Sequence, residues 1–158
     1  MDPVVEITAI TTPDEHILEM VEKLDAYMSE LYPPESTHLT PPEELSSGAN
    51  RFFAVKVDGV LKGCGGFRVV ERDYAEIKRI YVDPSTRGLG LAKALLSRLE
   101  SESRSLGLFE MKLETGIHQP EAIRLFERCG YSQCPIFGDY PKNDPNSVFM
   151  RKSLDKEA

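Results

Sequence analysis

The stretch IYVDPSTRGLGLAK, residues 80–93, decides the fold of this chain. An apolar strand ends at Val82, a turn follows, and a glycine-rich segment leads directly into a leucine-striped helix. The first turn of a helix exposes backbone N–H groups without helical partners and carries a partial positive charge. Gly88 and Gly90 have no Cβ, so an anion can approach the backbone closely. The stretch therefore predicts a binding site for a pyrophosphate group.

Two common phosphate-binding motifs do not match this segment. The P-loop pattern G-x-x-x-x-G-K-[ST] is absent from the chain. The dinucleotide fingerprint G-x-G-x-x-G requires a third glycine where Lys93 stands, and it opens a fold rather than following several antiparallel-looking strands. A third pattern has a basic residue followed by Gly-x-Gly-x-Ala. This pattern is present as Arg-Gly-Leu-Gly-Leu-Ala, residues 87–92.

Hydrophobic periodicity outside this segment predicts a mixed α/β chain. Apolar residues at three- and four-residue spacing indicate a helix that opens at Pro13-Asp14 and stops near Tyr32, a second over 88–106, and a third from Pro120 to Gly130. A short helix is expected near Pro41–Glu44. β-branched or alternating runs predict strands over residues 4–12, 51–57, 60–71, 74–82, 109–115, 131–137 and 147–152.

Length and composition limit the classes of function. A chain of 158 residues forms one ordinary domain, here taken as 1–158. A net charge of −7 disfavours nucleic-acid binding, which depends on Lys and Arg. No apolar run approaches the roughly 20 residues of a membrane span, and no signal peptide is evident, so we expect a cytoplasmic protein without membrane partners. Three cysteines without C-x-x-C spacing and only three histidines predict no metal site.

The glycine-rich hexad and its flanks resemble the GNAT superfamily of N-acetyltransferases from about Arg51 to Leu154. The resemblance rests on Glu-Ile-Lys-Arg-Ile-Tyr-Val-Asp-Pro (76–84), on the hexad at 87–92 and on the leucine-striped helix that follows. Leu-Glu-Thr-Gly (113–116) and Phe-Gly-Asp-Tyr (137–140) resemble a bacterial subgroup. The resemblance implies a mostly antiparallel central sheet of six or seven strands with helices on both faces, splayed between the fourth and fifth strands.

The resemblance also implies an acyl donor and the residues that hold it. The donor would be acetyl-CoA, and no metal is implied. Its pantetheine amides would pair with the strand residues Ile80, Tyr81 and Val82, as an added strand would. Its pyrophosphate would be held by the backbone of the loop and first helical turn, namely Arg87, Gly88, Leu89, Gly90, Leu91, Ala92 and Lys93.

A second family segment begins at Gln119, where GNAT members usually have Asn, and includes Phe126, where they usually have Tyr. Both residues are expected to contact the acyl donor. The family tyrosine often protonates the leaving thiolate, which Phe126 cannot do because it has no hydroxyl group. Either another group, for which Tyr131 and Tyr140 are candidates, supplies this proton, or the thiolate leaves without assistance, since a thiol pKa of about 8.5 makes it a fair leaving group.

Transfer to an amine requires the neutral amine, which is about one part in a thousand at pH 7 for an alkyl ammonium of pKa about 10. Glu76, at the start of the strand that feeds the loop, is the candidate general base; the alternative is a charge paired with Lys78 or Arg79. Regular alternation would place Glu76 on one face with Lys78, Ile80 and Val82, unless a bulge intervenes.

The loop after the first helix would form a wall of the acceptor site. Tyr32 is the candidate for stacking on the acceptor and Glu35 for pairing with its cation, while an ordinary helix-ending loop remains the alternative. The partner would be a small-molecule or peptide amine, and a homodimer is the default assembly. The main reading is acetyl transfer from acetyl-CoA to a primary amine in a ternary complex. The alternative is a non-catalytic acyl-CoA-binding sensor, which Phe126 keeps open.

Overall fold

The computed structural model describes residues 1–36, 39–86 and 88–155. Its strands are β1 (Val5–Ala9), β2 (Arg51–Val57), β3 (Val60–Val70), β4 (Tyr74–Val82), β5 (Glu110–Gly116), β6 (Ser132–Gln133) and β7 (Ser147–Ser153). Its helices are α1 (Glu15–Leu31), α2 (Pro42–Leu45), α3 (Leu91–Ser105) and α4 (Pro120–Arg128), with 3₁₀ turns at Pro34–Ser36 and Pro84–Thr86. The predicted order of elements is confirmed.

One seven-stranded sheet forms the centre of the molecule, in the order β1-β2-β3-β4-β5-β7-β6. Every neighbouring pair is antiparallel except β4 and β5, which run parallel. The side chains of consecutive β2 residues lie on opposite faces of the sheet: Phe53 packs with α3 and α4, and Phe52 packs with α1 and α2. The predicted mostly antiparallel sheet with helices on both faces is therefore confirmed.

Local chemistry sets the ends of the helices where the sequence indicated. The Asp14 side chain accepts a hydrogen bond from the backbone N–H of Ile17 and caps α1. At the end of α3, Gly107 adopts φ +78°, and the N–H groups of Gly107 and Leu108 bond to the carbonyls of Arg104 and Ser103. This is the Schellman arrangement that a C-terminal glycine favours.

Three boundaries differ from the predictions. The strand expected over 4–12 is shorter, Val5–Ala9, and α3 begins at Leu91 because Gly88 and Gly90 have positive φ angles of +89° and +69°. The strand expected over 131–137 is only Ser132–Gln133. The last backbone hydrogen bond of this pairing runs from the Cys134 N–H to the Phe149 carbonyl, directly before Pro135, a residue type that strands tolerate only at edges and ends.

No helix in the described part of the chain is long and apolar enough to cross a membrane.

Candidate active site

The two parallel strands at the centre of the sheet part from each other and open a cleft. Their register contains only two pairs, Ala75 with Met111 and Glu76 with Lys112. Beyond Glu76 the two strands line opposite walls of a cleft of about 930 Å³, β4 with residues 77–82 and β5 with residues 113–116. The predicted splay is thus present, and it leaves the facing backbone edges of both strands open to a ligand.

A bulge in β4 determines which side chains face this cleft. Gly66 pairs with Lys78 and Cys64 with Tyr81, so two residues of β4 lie opposite the single residue Gly65. One of the two, Arg79, has a φ of +61°. The bulge reverses the alternation: Ile77, Ile80 and Val82 all pack in the core below α3. The expectation of regular alternation is therefore wrong, and Glu76 shares its face with Lys78 but not with Ile80 or Val82.

The bulge also directs Arg79 toward α1, which covers one side of the cleft. The Arg79 guanidinium is almost fully buried, forms an ion pair with Asp25 of α1, and donates from Nε to the Thr40 carbonyl at 2.8 Å. The charge of a buried arginine with these partners is balanced by the carboxylate, and its Nε–H is bonded to the carbonyl. Arg79 therefore holds the α1 wall in place.

The glycine-rich loop ends at one mouth of the cleft. Gly88, Gly90, Leu91, Ala92 and Lys93 line the cleft, whereas the Leu89 side chain is exposed outside it. Gly90 is the N-cap residue of α3 and offers no side-chain cap, so the first N–H groups of the helix remain available to a ligand. Arg87 lies outside the described residues. This geometry fits the anion site predicted from the sequence.

The start of α4 forms the wall opposite the loop. Gln119 and Phe126 both line the cleft, and Phe126 is buried, with its ring 5.8 Å from that of Tyr131. Arg124 and Arg128 line the same wall and Lys93 lines the α3 end, while the carboxylates Asp83 and Glu121 also line the cleft. These three cations outnumber the two carboxylates at the candidate anion site, although the whole chain has a net charge of −7.

Tyr32 links the wall of the cleft formed by α1 to the wall formed by the start of α4. Its hydroxyl donates to Gln119 Oε1 at 3.3 Å and accepts from the His118 backbone N–H at 3.1 Å. A Cβ at Gly116 would overlap this hydroxyl, so glycine is required there. Tyr32 lines the cleft, and its ring packs at 5.3 Å from that of His118 just before α4, so it connects the end of α1 to the start of α4.

The loop after α1 and the loop before β7 close the other mouth of the cleft. Ser36 Oγ donates to Asp144 at 3.0 Å, and the Asn146 side chain donates to Ser36 at 3.1 Å. Ser36 and Asn146 line the cleft, whereas Glu35 is exposed and does not. The residue proposed for cation pairing is thus outside the cleft, and Ser36, its neighbour in sequence, lies inside.

Glu76 lies at the centre of a buried ionic cluster. Its carboxylate is 1% exposed and is bound by Arg68 Nε at 2.9 Å, Lys78 Nζ at 3.3 Å and the Tyr140 hydroxyl. Lys78 Nζ also donates to the Tyr140 hydroxyl at 2.6 Å. Glu76 does not line the cleft, although Lys78 does. This arrangement favours the ion-pair alternative for Glu76 over direct proton transfer with a substrate.

A second carboxylate, which the sequence analysis did not select, faces the cleft from β5. Glu114 is partly buried and accepts a hydrogen bond from Ser147 Oγ at 2.8 Å. Burial raises the pKa of Glu114 to about 7, against the lowering effects of the Ser147 hydrogen bond and the Lys78 charge, while the charges of Asp144 and Glu76 raise it further. A carboxyl group that titrates near neutrality at a cleft wall has the properties of a general base.

The alternation of apolar and charged residues in β5 could have identified Glu114 as a candidate site residue from the sequence. Met111 and Leu113 pack in the core, so Lys112 and Glu114 necessarily project from the opposite face of the sheet, toward α1. In the sequence, the Leu-Glu-Thr-Gly stretch carries only the family resemblance. What the sequence lacked was the position at which β5 separates from β4.

Tyr131, the candidate proton donor, lies away from the cleft. Its side chain is 3% exposed, and its hydroxyl donates to Glu100 at 3.0 Å. Burial and the nearby Glu100 carboxylate raise the pKa of Tyr131 well above its usual range. The geometry favours a packing role for Tyr131. Among the described residues, no group of three or more His, Cys, Asp or Glu side chains is arranged to hold a metal ion.

Comparison with known proteins agrees with this geometry. The model of the Acetyltransferase (GNAT) family matches residues 17–131. An IAA acetyltransferase from Azospirillum brasilense is 37% identical over 153 residues, which cover 96% of this chain and 99% of the relative. The crystal structure of a candidate acyl-CoA N-acyltransferase from Klebsiella pneumoniae superposes with a TM-score of 0.78 at 35% identity, over 96% of this chain and 98% of that one.

A more distant structure shares the fold alone. It is a GNAT family acetyltransferase from Elizabethkingia anophelis with acetyl-CoA bound, and it superposes with a TM-score of 0.65 at 16% identity, over 95% of this chain and 98% of that one. The splayed sheet, the glycine-led helix and these matches lead to one conclusion: the chain belongs to the GNAT family of acetyltransferases.

Proposed function

We propose that this protein, a single domain over 1–158, transfers an acetyl group from acetyl-CoA to a primary amine in a ternary complex. The observation that carries the proposal is the position of Glu114, a carboxyl group of pKa about 7 on the wall of the same cleft that begins at the α3 N-terminus. Donor and acceptor can therefore meet without a covalent enzyme intermediate. We place the reaction in the cytoplasm, with a small-molecule or peptide amine as acceptor.

The donor half of the cleft fits acetyl-CoA. The pyrophosphate would be held by the N–H groups that begin α3, with Lys93, Arg124 and Arg128 as cations that line the cleft. A contribution from Arg87 is proposed from the sequence alone. The pantetheine amides would pair with the open edge of β4 at Ile80, Tyr81 and Val82. The bound acetyl-CoA in the Elizabethkingia anophelis neighbour supports this assignment.

Glu114 replaces Glu76 as our candidate general base. The neutral amine nitrogen forms a bond to the thioester carbonyl carbon, and its proton passes to the Glu114 carboxylate. When the carbon–sulfur bond breaks, the electron pair remains on sulfur. Phe126 cannot protonate this thiolate, whose conjugate acid has a pKa of about 8.5, so it leaves as the anion. A backbone N–H near Val82 would stabilise the oxyanion.

Gly90→Ala tests the pyrophosphate site. An alanine at φ +69° is strained by about 1 kcal/mol, and its Cβ would stand where the anion approaches the helix. We expect KM for acetyl-CoA to rise about tenfold, which corresponds to about 1.4 kcal/mol. Gly48→Ala is the matched control: its φ is +61°, a Cβ there meets nothing within 4 Å, and Gly48 does not line the cleft. Equal changes in KM for both variants would contradict the assignment.

The reaction itself is tested by CoA release from acetyl-CoA across a panel of amines at mildly alkaline pH. We expect release with one class of primary amine and none without an acceptor. Calorimetric titration with acetyl-CoA separates the alternatives. Binding without release for any amine would favour the sensor, and failure to bind acetyl-CoA would refute the proposal as a whole.

A further inference from the structure

The acceptor half of the cleft contains a lysine and a glutamate at equivalent positions of the two separating strands. Glu76 and Lys112 form the last register pair, and Lys78 and Glu114 each lie two residues further along. Both side chains project from the face covered by α1, and both line the cleft. These two described side chains form no ion pair with each other.

Lys78 shares its buried counter-ion with a second cation. Glu76 pairs with both Arg68 and Lys78, and the Lys78 charge also acts on the Glu114 carboxyl across the cleft. Lys78 is 12% exposed and uses two of its three N–H donors on Glu76 and Tyr140. Its remaining donor is available to a group in the cleft.

Arg79, the other cation of β4 at this wall, is bound within the protein. Its guanidinium is paired with Asp25 and bonded to the Thr40 carbonyl. Lys78 is therefore the cation of this half that can serve an acceptor, and a desolvated ammonium group favours an anionic partner.

The remaining wall of the acceptor half is apolar. Leu24 and Met28 of α1 and Leu39 of the following loop line it, and Tyr32 closes it toward α4. An apolar wall next to a cation and a base fits a molecule with an amine, an anionic group and an apolar side group on adjacent atoms.

We propose that the acceptor is an apolar amino acid whose carboxylate binds Lys78 while its amino group faces Glu114. The proposal rests on the proposed acetyl transfer and specifies its acceptor. Neighbouring strands are about 4.8 Å apart where they pair, and they diverge beyond that point. The amino and carboxylate groups of one amino acid can therefore reach both walls at once.

Matched substrates test this proposal without any variant. CoA release is measured with L-leucine, with leucinamide and with 3-methylbutylamine, which share a side chain but only the first of which carries a carboxylate. Concentrations are set to give equal amounts of free amine. We expect kcat/KM for leucine to exceed that of the other two at least tenfold. Equal or faster release with the two acceptors that lack a carboxylate would overturn the inference and leave the proposed transferase standing.

Lys78→Met and Lys78→Arg test whether Lys78 is the residue that binds the acceptor carboxylate. We expect the leucine-to-amine ratio of kcat/KM to fall at least tenfold in Lys78→Met and to be largely retained in Lys78→Arg, which keeps the charge. The ratio cancels any general loss of folded or active enzyme. An equal fall in both rates, with the ratio unchanged, would assign Lys78 a structural role and refute carboxylate binding. Absence of release with every amine would refute the proposed function instead.

Discussion

Replacing Glu114 with Gln is expected to lower kcat/KM for the acceptor by about 10²- to 10⁴-fold, the range for loss of a general base. Gln preserves the shape of the side chain and can still accept from Ser147, so the cleft remains intact. It cannot accept the proton of the attacking amine. Steady-state CoA release at saturating acetyl-CoA measures the effect. A loss smaller than threefold would exclude Glu114 as the base.

The pH profile should change in a way that only loss of the base explains. Since the base must be ionised, activity of the native enzyme rises as pH passes through about 7, the pKa of Glu114. The groups facing this carboxyl are Lys78 and Glu76 of β4, Ser147 of β7, and Asp144 of the loop before β7. At constant free-amine concentration, this rise should be absent from Glu114→Gln. A rise of unchanged midpoint in the variant would contradict the assignment.

The same substitution should stabilise the folded protein above neutral pH. The folded pKa of about 7 exceeds the unfolded value of 4.5, so protonation of Glu114 favours the folded state. That stability is fully present below pH 4.5 and is lost as pH rises through about 7. The loss amounts to about 1–3 kcal/mol, and Glu114→Gln avoids it. Urea unfolding at pH 4.5 and pH 8 should show a gain for the variant only at pH 8.

Glu110→Gln is the matched control in the same strand. Glu110 lies outside the cleft, and although burial acts to raise its pKa, the hydrogen bond and charge of Arg151 hold that pKa below its usual value. Its stabilising contribution is therefore present above the unfolded pKa and lost as pH falls. We expect Glu110→Gln to leave kcat/KM unchanged and to lose stability at pH 8, the opposite of Glu114→Gln. The same stability change in both variants would refute the link between burial and the pKa of Glu114.

Glu76→Gln is expected to lower the free energy of unfolding by about 3 kcal/mol. The substitution leaves Arg68 and the largely buried Lys78 without a counter-charge, and removing one partner of a buried ion pair typically costs about 3–5 kcal/mol. The partial exposure of Arg68 reduces the effect toward the lower end of this range. Denaturant unfolding at pH 7 measures the loss.

Glu102→Gln is the control that separates the effect of burial from the effect of the number of neighbouring cations. Glu102 also lies between two arginines, Arg51 at 3.5 Å and Arg98 at 3.9 Å, but its side chain is 29% exposed, against 1% for Glu76. Exposed pairs contribute about 0–1 kcal/mol, so we expect a change within that range. Similar losses for both variants would mean that burial does not control the energetics of the Glu76 cluster.

The family and the donor half of the cleft could be recognised from local sequence. The strand that ends at Val82, the glycines at 88 and 90 and the helix after them are contiguous, and backbone geometry alone makes such a segment an anion site. Pro135 likewise shortens β6 for a local reason that the strand prediction overlooked. Local chemistry also fixed the Asp14 cap and the Gly107 helix end.

The acceptor half could not be recognised in this way, because its members come from separate parts of the chain. Glu114 and Lys78 line one cleft only because β4 and β5 run parallel and separate after two register pairs. The bulge at Arg79 then turns Ile80 into the core, whereas Lys78, which precedes the bulge, keeps the face that it shares with Glu76.

Glu76 shows most clearly what the sequence determines and what only the tertiary structure determines. The sequence by itself determined the order of elements, which follows from periodicity, glycine and proline, and it predicts the candidate anion site; the mostly antiparallel, splayed sheet was implied by the family resemblance. Only the tertiary structure decided that Arg68 and Tyr140 bind the Glu76 carboxylate while Glu114 keeps one face toward the cleft. The physical reason is that a pKa depends on burial and on charges brought together through space.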